Sequence, residues 1–474
     1  MNNKIKELSK NISLFAISSL IPKILTFLLI PIYTRYLNPS DYDYADLINT
    51  TSLLLVPIFT IDIQDAVMRF AMNKKYEKKD IFSMALLLNI IGAILVISLC
   101  LIGYKINLFN LPNYFFPFLF IYYFFTALNN LVTLFCKGIE KVKCIVVGSI
   151  IHSAIMLLLN ILFVVYLHGN VIYYLIANSL GAFCQIVYTF FSAKIYKYIN
   201  FKLNILILKK MIIYSFPLVF SVVSWWINNA SDRYILTWLS GAYIGGLYAM
   251  SYKIPNILST VQSIFFNAWS ISSIKEFDKS DKDGFIGNMY SLMNYCMCIF
   301  CSLIMIFNIL IAKILYAGEF IEAWKFVPPL LISVVFNAMG LFLGGIYTAV
   351  MDTKTLSIST IIGAIINTIL NIILIPKFNG YGAGIATLIG YFIIFIIRKV
   401  KIKKYIHLKE INSNNYILYI ILIFQMVFAF MGNKYVLIQL VCLATIIYLT
   451  RKEIMITIKF FKKVLKKRLK NEKN

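Results

Sequence analysis

Four patterns in this chain are of residue types that could carry chemistry. Asp281-Lys282-Asp283 and Asp41-Tyr42-Asp43 have the DxD form in which paired carboxylates hold a metal ion against a nucleotide sugar. Cys298 and Cys301 form a CxxC, half of a zinc site. Gly380-Tyr381-Gly382-Ala383-Gly384 imitates the glycine fingerprint of a dinucleotide site. The fourth pattern consists of cations, carboxylates and amides at helical spacing inside apolar runs, a chemistry suited to an anion or a sugar in a membrane.

The elements around the first three patterns do not support them. Both DxD matches lie in short connections with no globular domain to complete a site, and they read as charged loops. The CxxC sits in an apolar stretch without a second pair, and the glycine run joins two apolar spans and follows no strand, so it reads as a tight turn with close packing after it. His152, His168 and His407 fall on separate segments and make no triad or ligand set. No Walker loop is present, and no cofactor is implied.

Composition explains what must position the fourth pattern. Hydrophobic residues make up 60% of the 474 positions, against about 45–50% in soluble domains, and the mean hydropathy is +0.81. Apolar runs long enough to cross a bilayer recur at 11–34, 42–66, 81–103, 114–136, 144–167, 171–193, 211–238, 243–270, 289–316, 326–351, 355–376, 381–398, 415–432 and 434–450. The expected fold is therefore an all-α integral membrane protein of about fourteen transmembrane helices. The opening run, behind Lys4, Lys6 and Lys10, continues without a small-residue cleavage site and reads as the first membrane helix. Eight cysteines, mostly within or at the ends of apolar runs, read as small buried hydrophobes.

The net charge of +25 is distributed between the spans, which points to anionic lipid as a partner and away from nucleic acid. Lysines crowd alternate loops: Lys74, Lys75, Lys78 and Lys79; Lys137, Lys141 and Lys143; Lys194, Lys197, Lys202, Lys209 and Lys210; Lys275, Lys279 and Lys282; Lys399, Lys401, Lys403 and Lys404. The intervening loops carry isolated cations such as Arg35, Lys105 and Lys377. By the positive-inside rule both termini are cytoplasmic. From Arg451 onward, apolar residues at helical spacing alternate with lysines, as in a basic helix on the inner leaflet.

The halves repeat. Cys136 to Phe163 aligns with Ala349 to Leu374 at an offset of about 211, placing Lys143 on Lys354, Asn160 on Asn371 and, just beyond, Gly169 on Gly380. A weaker match relates the first helix pair to the pair beginning near Met211. Six helices separate the copies, an even number, which implies two six-helix lobes related by a pseudo-two-fold along the membrane normal, plus two extra helices. The expected divisions are 1–200, 201–410, an accessory pair at 411–452 and the basic tail 453–474.

Against this frame the intramembrane polar residues stand out, since an ionised group at mid-membrane costs at least ~2.5–3.5 kcal/mol. Ser19, Lys23, Thr26 and Tyr33 share one face of the first helix. Pro217, Ser221, Ser224, Asn228 and Ser231 lead to Asp232 and Arg233 in the seventh, and Lys253, Asn256, Thr260, Ser263 and Asn267 line the eighth. Asp65 and Arg69, four apart, can pair on one face. These stripes read either as helix-packing contacts or as the lining of a hydrated cavity between the lobes; for Lys23 and Lys253 the cavity is the better account, because lysine packs poorly.

These same segments resemble a known family. Pro31-Ile32-Tyr33-Thr34-Arg35-Tyr36-Leu37 and Ser40-Asp41-Tyr42, Asp65-Ala66-Val67-Met68-Arg69-Phe70, Asn229-Ala230-Ser231-Asp232-Arg233-Tyr234-Ile235-Leu236, Gly246-Leu247-Tyr248, and Asn367-Thr368-Ile369-Leu370-Asn371 through Ile375-Pro376 to Gly380-Tyr381-Gly382-Ala383-Gly384-Ile385-Ala386-Thr387 resemble the bacterial polysaccharide (O-antigen type) flippases of the MATE-like exporter superfamily. Asp43, where that family usually has Gly, and Asp65, where Glu is common, depart from its pattern. The resemblance implies a non-enzymatic flippase of the bacterial cytoplasmic membrane. Its substrate would be an undecaprenyl-diphosphate-linked oligosaccharide, carried outward by alternating access, with polysaccharide polymerase and chain-length machinery as further partners. Lys23 and Lys253 then meet the diphosphate and Asn228, Asn256 and Asn267 the glycan, with Asp232, Arg233, Asp65 and Arg69 completing the expected substrate path. The rivals are a multidrug or small-molecule exporter of the same fold, and a membrane glycosyltransferase or polymerase, for which no large external loop with catalytic groups exists.

Overall fold

A computed structural model describes residues 22–73, 75–200, 204–275, 281, 284–406 and 414–451, without the side chains of 267, 268, 270–272, 274, 275, 414, 415 and 433. The expected basic tail, the N-terminal lysines, Ser19, Lys74, Lys202, Lys279, Lys282, Asp283 and His407 lie outside the described residues. Within them the chain is helical and contains no strand. It divides into two compact units, Met1–Ala230 with Tyr316–Glu319, and Ser231–Leu315 with Phe320–Asn474.

The first unit holds α1 (22–36), α2 (Pro39–Phe59), α3 (Ile63–Ala71), α4 (Lys78–Lys105), α5 (Phe115–Gly138), α6 (Val142–Asn160), α7 (Val171–Ser192) and most of α8 (Ile205–Ser240). Asn38 starts α2 by accepting the Asp41 N–H at 2.8 Å ahead of Pro39, and Asn170 starts α7 by accepting from Ile172. The second span is not continuous as expected: α2 and α3 meet at 62°. Pro57 removes a helical donor just before the break, and Ile61 and Asp62 both take left-handed dihedrals there. Below the break, Ile63, Val67, Phe82, Leu131 and Phe135 form a core, with the Phe82 and Phe135 rings 4.8 Å apart. Lys141 donates to the Ala193 carbonyl and so ties the α5–α6 connection to the end of α7.

The second unit holds α9 (Ala242–Ser251), α10 (Pro255–Lys275), α11 (Phe285–Ile306), α12 (Asn308–Leu315), most of a 3-10 segment (Gly318–Phe326), α13 (Val327–Ala349), α14 (Thr353–Ile402), α15 (Asn414–Phe430) and α16 (Val436–Arg451). The expected single span over 243–270 is two helices, because Pro255 begins a new one after a turn at Tyr252–Ile254. Likewise the span expected at 289–316 ends at Ile306 and resumes at Asn308. The mostly buried α13 is the hub of this unit. Trp269 stacks on Phe342 at 3.9 Å while its indole N–H donates to the Phe342 carbonyl at 2.9 Å. Arg398 brings its guanidinium to Gly340 O at 2.8 Å, Ser359 Oγ at 2.9 Å and Thr360 Oγ1 at 2.9 Å. Buried bonds from Tyr419 to Asn294 and between Ser302 and Gln425 hold α15 against α11.

Helix α14 contains 50 residues, about 75 Å at ~1.5 Å per residue, more than twice the ~30 Å hydrocarbon core. It is two helices joined at Asn379, whose φ of 49° and ψ of −132° are not helical. Asn367 bonds Thr387 across the join, a contact that a straight helix would place far out of reach. The glycine run packs tightly, as expected: a Cβ at Gly380 would stand 2.7 Å from the Phe326 ring and one at Gly384 2.7 Å from Pro329. Among the described residues, eight helices are long and apolar enough to cross a membrane, nine with the bent α2–α3 pair, and α14 is long enough to cross twice. These lengths fix a multi-pass membrane protein without fixing the count of fourteen. Ile94, Leu101, Ile372 and Ile420 are exposed on helix surfaces, an arrangement for lipid.

Candidate functional site

A densely bonded intramembrane charge is Asp232, 2% exposed, near the C-terminal end of α8. Its position follows from the turn behind it: Gly241, at a left-handed φ of 85°, leads the chain into α9. That turn sets Tyr248 and Tyr252, one turn apart on α9 and its C-cap, beside the carboxylate. Tyr248 donates to Asp232 Oδ2 at 2.8 Å, Tyr252 at 2.7 Å, and Thr387 from the second half of α14 at 3.2 Å. Asp232 Oδ1 accepts the Arg233 backbone N–H at 3.0 Å. The Arg233 guanidinium lies 4.9 Å from the centre of the Tyr252 ring, a cation–π contact with the same tyrosine that grips its neighbour. A buried carboxylate of this kind is tolerable because hydroxyl donors and a nearby guanidinium replace water.

The network continues away from the charge. Asn367 donates to Thr387 Oγ1 at 3.4 Å, and Asn371 donates to Asn367 Oδ1 at 3.0 Å. The chain of bonds ends at Asn371 Oδ1, buried and without a partner. Carboxylate, hydroxyl and amide oxygens from α8, α9 and α14 thus share one buried locus. Oxygen donors of this kind suit a small hard cation, toward which the amides could turn their oxygens. Among the described residues no group of three His, Cys, Asp or Glu side chains is placed to hold a metal.

The residues singled out by sequence are distributed differently. Lys23 is exposed on α1 and Asn228 is buried on α8, its amide donating to Ser224 O at 3.1 Å, both in the first unit. Lys253 is half-buried in the turn after α9 and Asn256 is exposed on α10, both in the second; Asn267 lies on α10 with its side chain outside the described residues. Asp65 and Arg69 form no ion pair among the described residues, correcting the expected pairing: Arg69 is exposed, while Asp65 feels the charge of Lys137 at the end of α5. The two share a helix face, but at this bend another helix offers Asp65 a cation.

The DxD residues have local duties. Asp281 is buried and accepts the N–H groups of Ile286 and Gly287 at 3.0 and 2.9 Å at the start of α11. Asp41 accepts from Asn38 and from the Tyr114 hydroxyl. Sequence reasoning missed Tyr248, Tyr252, Asn367, Asn371 and Thr387 as site residues. Their signal was present in the i, i+4 spacing of Tyr248 with Tyr252 and of Asn367 with Asn371 inside apolar helices.

Residues 8–270 match the model of a family described as polysaccharide biosynthesis protein, over half of the chain. The chain belongs to the polysaccharide biosynthesis protein family. An uncharacterized membrane protein of Methanocaldococcus jannaschii is 26% identical over 238 residues, and the chain spans about half the length of this curated relative, the match covering 46% of each. Two solved structures share the fold. An inward-facing multidrug resistance MATE family transporter of the MOP superfamily superposes with a TM-score of 0.66 at 13% identity, covering 84% of this chain and 99% of that one. The lipid II flippase MurJ, in an inward closed conformation, superposes with a TM-score of 0.66 at 14% identity, covering 95% and 99%. This member of the polysaccharide biosynthesis family is therefore a membrane protein, helical throughout its described residues, with the MATE-like fold.

Proposed function

We propose that the protein flips a polyprenyl-diphosphate-linked oligosaccharide, of the undecaprenyl type, from the cytoplasmic to the outer face of a bacterial inner membrane by alternating access, with both termini cytoplasmic. The observation that carries this reading is the match of residues 8–270 to the polysaccharide biosynthesis family in a chain with an exporter fold. The intramembrane lysines support it, because Lys23 and Lys253 supply positive charge for a diphosphate where lipid would otherwise lie. Amides at Asn228, Asn256 and Asn267 suit the hydroxyls of a glycan. Partners on this reading are the lipid-linked glycan, anionic lipids at the basic tail, and a polymerase with its chain-length machinery.

Energy need not come from hydrolysis. An anion leaving a negative interior gains about 2.3 kcal/mol per charge per 100 mV, so a doubly charged head group gains about twice that. The Asp232 locus adds a place where a small cation could enter the cycle and be exchanged against the substrate.

The test is a Lys23→Ala, Lys253→Ala double variant reconstituted in vesicles with a fluorescent lipid-linked oligosaccharide. It should insert and fold as the parent does while losing translocation by tenfold or more. Unchanged translocation would remove both lysines from the substrate path, and efflux of small cationic drugs without glycan movement would replace the flippase reading by the multidrug one.

A further inference from the structure

The break between α2 and α3 lies just before Asp65 and Arg69 of the expected substrate path, and it has the features of a ligand site of its own. Discontinuous membrane helices expose backbone carbonyls that coordinate cations in transport proteins. Ile61 and Asp62 take φ of 53° and 48°, a conformation unfavourable for non-glycine residues that persists where surrounding structure or function compensates. A Cβ at Gly92 of α4 would stand 2.6 Å from Tyr123 Oη and 2.7 Å from the Phe59 carbonyl oxygen, so these two oxygens flank the same small space beside the break. Tyr123 is 0% exposed, and its hydroxyl has no partner.

A neighbouring amide identifies the kind of atom left over. Thr60 Oγ1 lies 2.7 Å from Val56 O and 3.0 Å from Gln64 Oε1, and one hydroxyl proton cannot serve two acceptors. Gln64, 2% exposed, has an amide nitrogen without a partner as placed. Turning the amide over lets its NH2 donate to Thr60 and leaves its oxygen as the unpartnered atom. Asn89, 4% exposed and one turn before Gly92, has its amide nitrogen on Ala85 O at 2.8 Å and its Oδ1 unpartnered. Asp62 Oδ2, within the break, is also buried and unpartnered. The unpartnered atoms of the break and of the helix faces packed on it are thus all oxygens, and one belongs to a carboxylate. Hard oxygen donors with a single negative charge fit a small hard monovalent cation.

We propose that the α2–α3 break binds a sodium ion, with Asp62, Gln64, Asn89, Tyr123 and the Phe59 carbonyl as its oxygen donors. The site lies wholly in the first unit and is independent of Asp232. Asp65, Arg69 and Lys137 are the other charged groups of this region, and the Lys137 ammonium acts on Asp65. Occupancy would fix the bend at Ile61 and Asp62.

The full chain in lipid nanodiscs, dialysed against radioactive sodium in choline chloride, tests this. Asp232→Asn serves as the parent so that binding at that locus is not counted. The parent should bind sodium saturably, Tyr123→Phe should weaken the affinity about tenfold, and Asp62→Asn should lose one sodium per chain. Tyr123→Phe changes only a hydroxyl and keeps the test valid if Asp62→Asn fails to fold. No sodium bound by the parent, as for a site filled by water alone, overturns the proposal; so does parental stoichiometry and affinity in both variants.

Discussion

The Thr387 hydroxyl lies 3.2 Å from Asp232 Oδ2, joining residues 155 positions apart in the sequence. This bond links the end of α8 to the far half of α14, and with the two tyrosines it makes Asp232 the meeting point of three elements. Asp232→Asn would keep the shape, lose the charge and turn an NH2 group toward hydroxyls that now donate. Translocation should fall at least tenfold with expression and insertion unchanged, and any cation dependence of transport should disappear. A variant that transports normally would make the cluster a structural feature only.

Tyr248→Phe and Tyr252→Phe each remove one hydroxyl donor to a carboxylate, an interaction worth about 1.5–3 kcal/mol. Either variant should unfold at lower temperature than the parent. The double variant should lose less than the sum, because the tyrosine hydroxyls lie 3.3 Å apart and share one acceptor. Additive melting shifts in a double-mutant cycle would contradict the shared grip.

Arg398 satisfies a buried guanidinium with neutral acceptors on α13 and the first half of α14. Its planar fork reaches Gly340 O and Thr360 at once, which a lysine ammonium cannot reproduce. Arg398→Lys should therefore cost nearly as much as Arg398→Ala, on the order of 2–4 kcal/mol, read as a fall in the melting midpoint in detergent. Full recovery by lysine would show that charge alone suffices.

At Gly92 a methyl group would stand 2.6 Å from Tyr123 Oη and 2.7 Å from the Phe59 carbonyl. The hydroxyl can yield but the backbone cannot, so Gly92→Ala should push α4 away from α2 and destabilise the protein by roughly 1–3 kcal/mol. The Gly92→Ala, Tyr123→Phe double variant should recover only part of that loss. Hydrogen exchange across α2 and α4 would report the displacement.

The repeated halves anchor corresponding loops with different chemistry. Lys141 donates to Ala193 O, and at the matching place Asp352 accepts from the Tyr405 hydroxyl at 3.0 Å. Hydrogen bonds from Thr355 hold the Asp352 carboxyl below the usual carboxylate range. A lowered carboxylate value stabilises above the ordinary range and fades as pH falls through the lowered one. Exchange protection of the 350–353 turn should therefore be flat from pH 8 to 5 and fall only in stronger acid. Tyr405→Phe should lower protection throughout, and a loss centred near neutral pH would assign it to another group.

The sequence made the membrane class, the repeat and the intramembrane charges legible, because each is a local pattern of polarity. Asp232 and the paired asparagines of α14 stand out as polar residues in apolar runs. What joins them was hidden: Tyr248 and Tyr252 reach Asp232 across 16 and 20 residues, and Thr387 across 155, distances at which helical spacing carries no information. The break at Ile61 and Asp62 was equally silent, since neither residue is glycine and Pro57 alone announces a change. Asp65 and Arg69 show the reverse error: correct spacing suggested a pair, while Lys137 on another helix supplied the nearby cation.

Asn160 and Asn371 occupy matching places in the repeat, and each keeps a buried carbonyl oxygen without a partner. Around Asn371 stand Asn367 and, through it, Thr387 and Asp232; Asn160 instead donates to Met156 O at 2.7 Å. If both halves descend from one ancestral hairpin, the asparagine is the inherited part and the carboxylate circuit a later specialisation of one copy. Grafting asparagine at Met156 is then a direct way to ask how few changes separate the two copies.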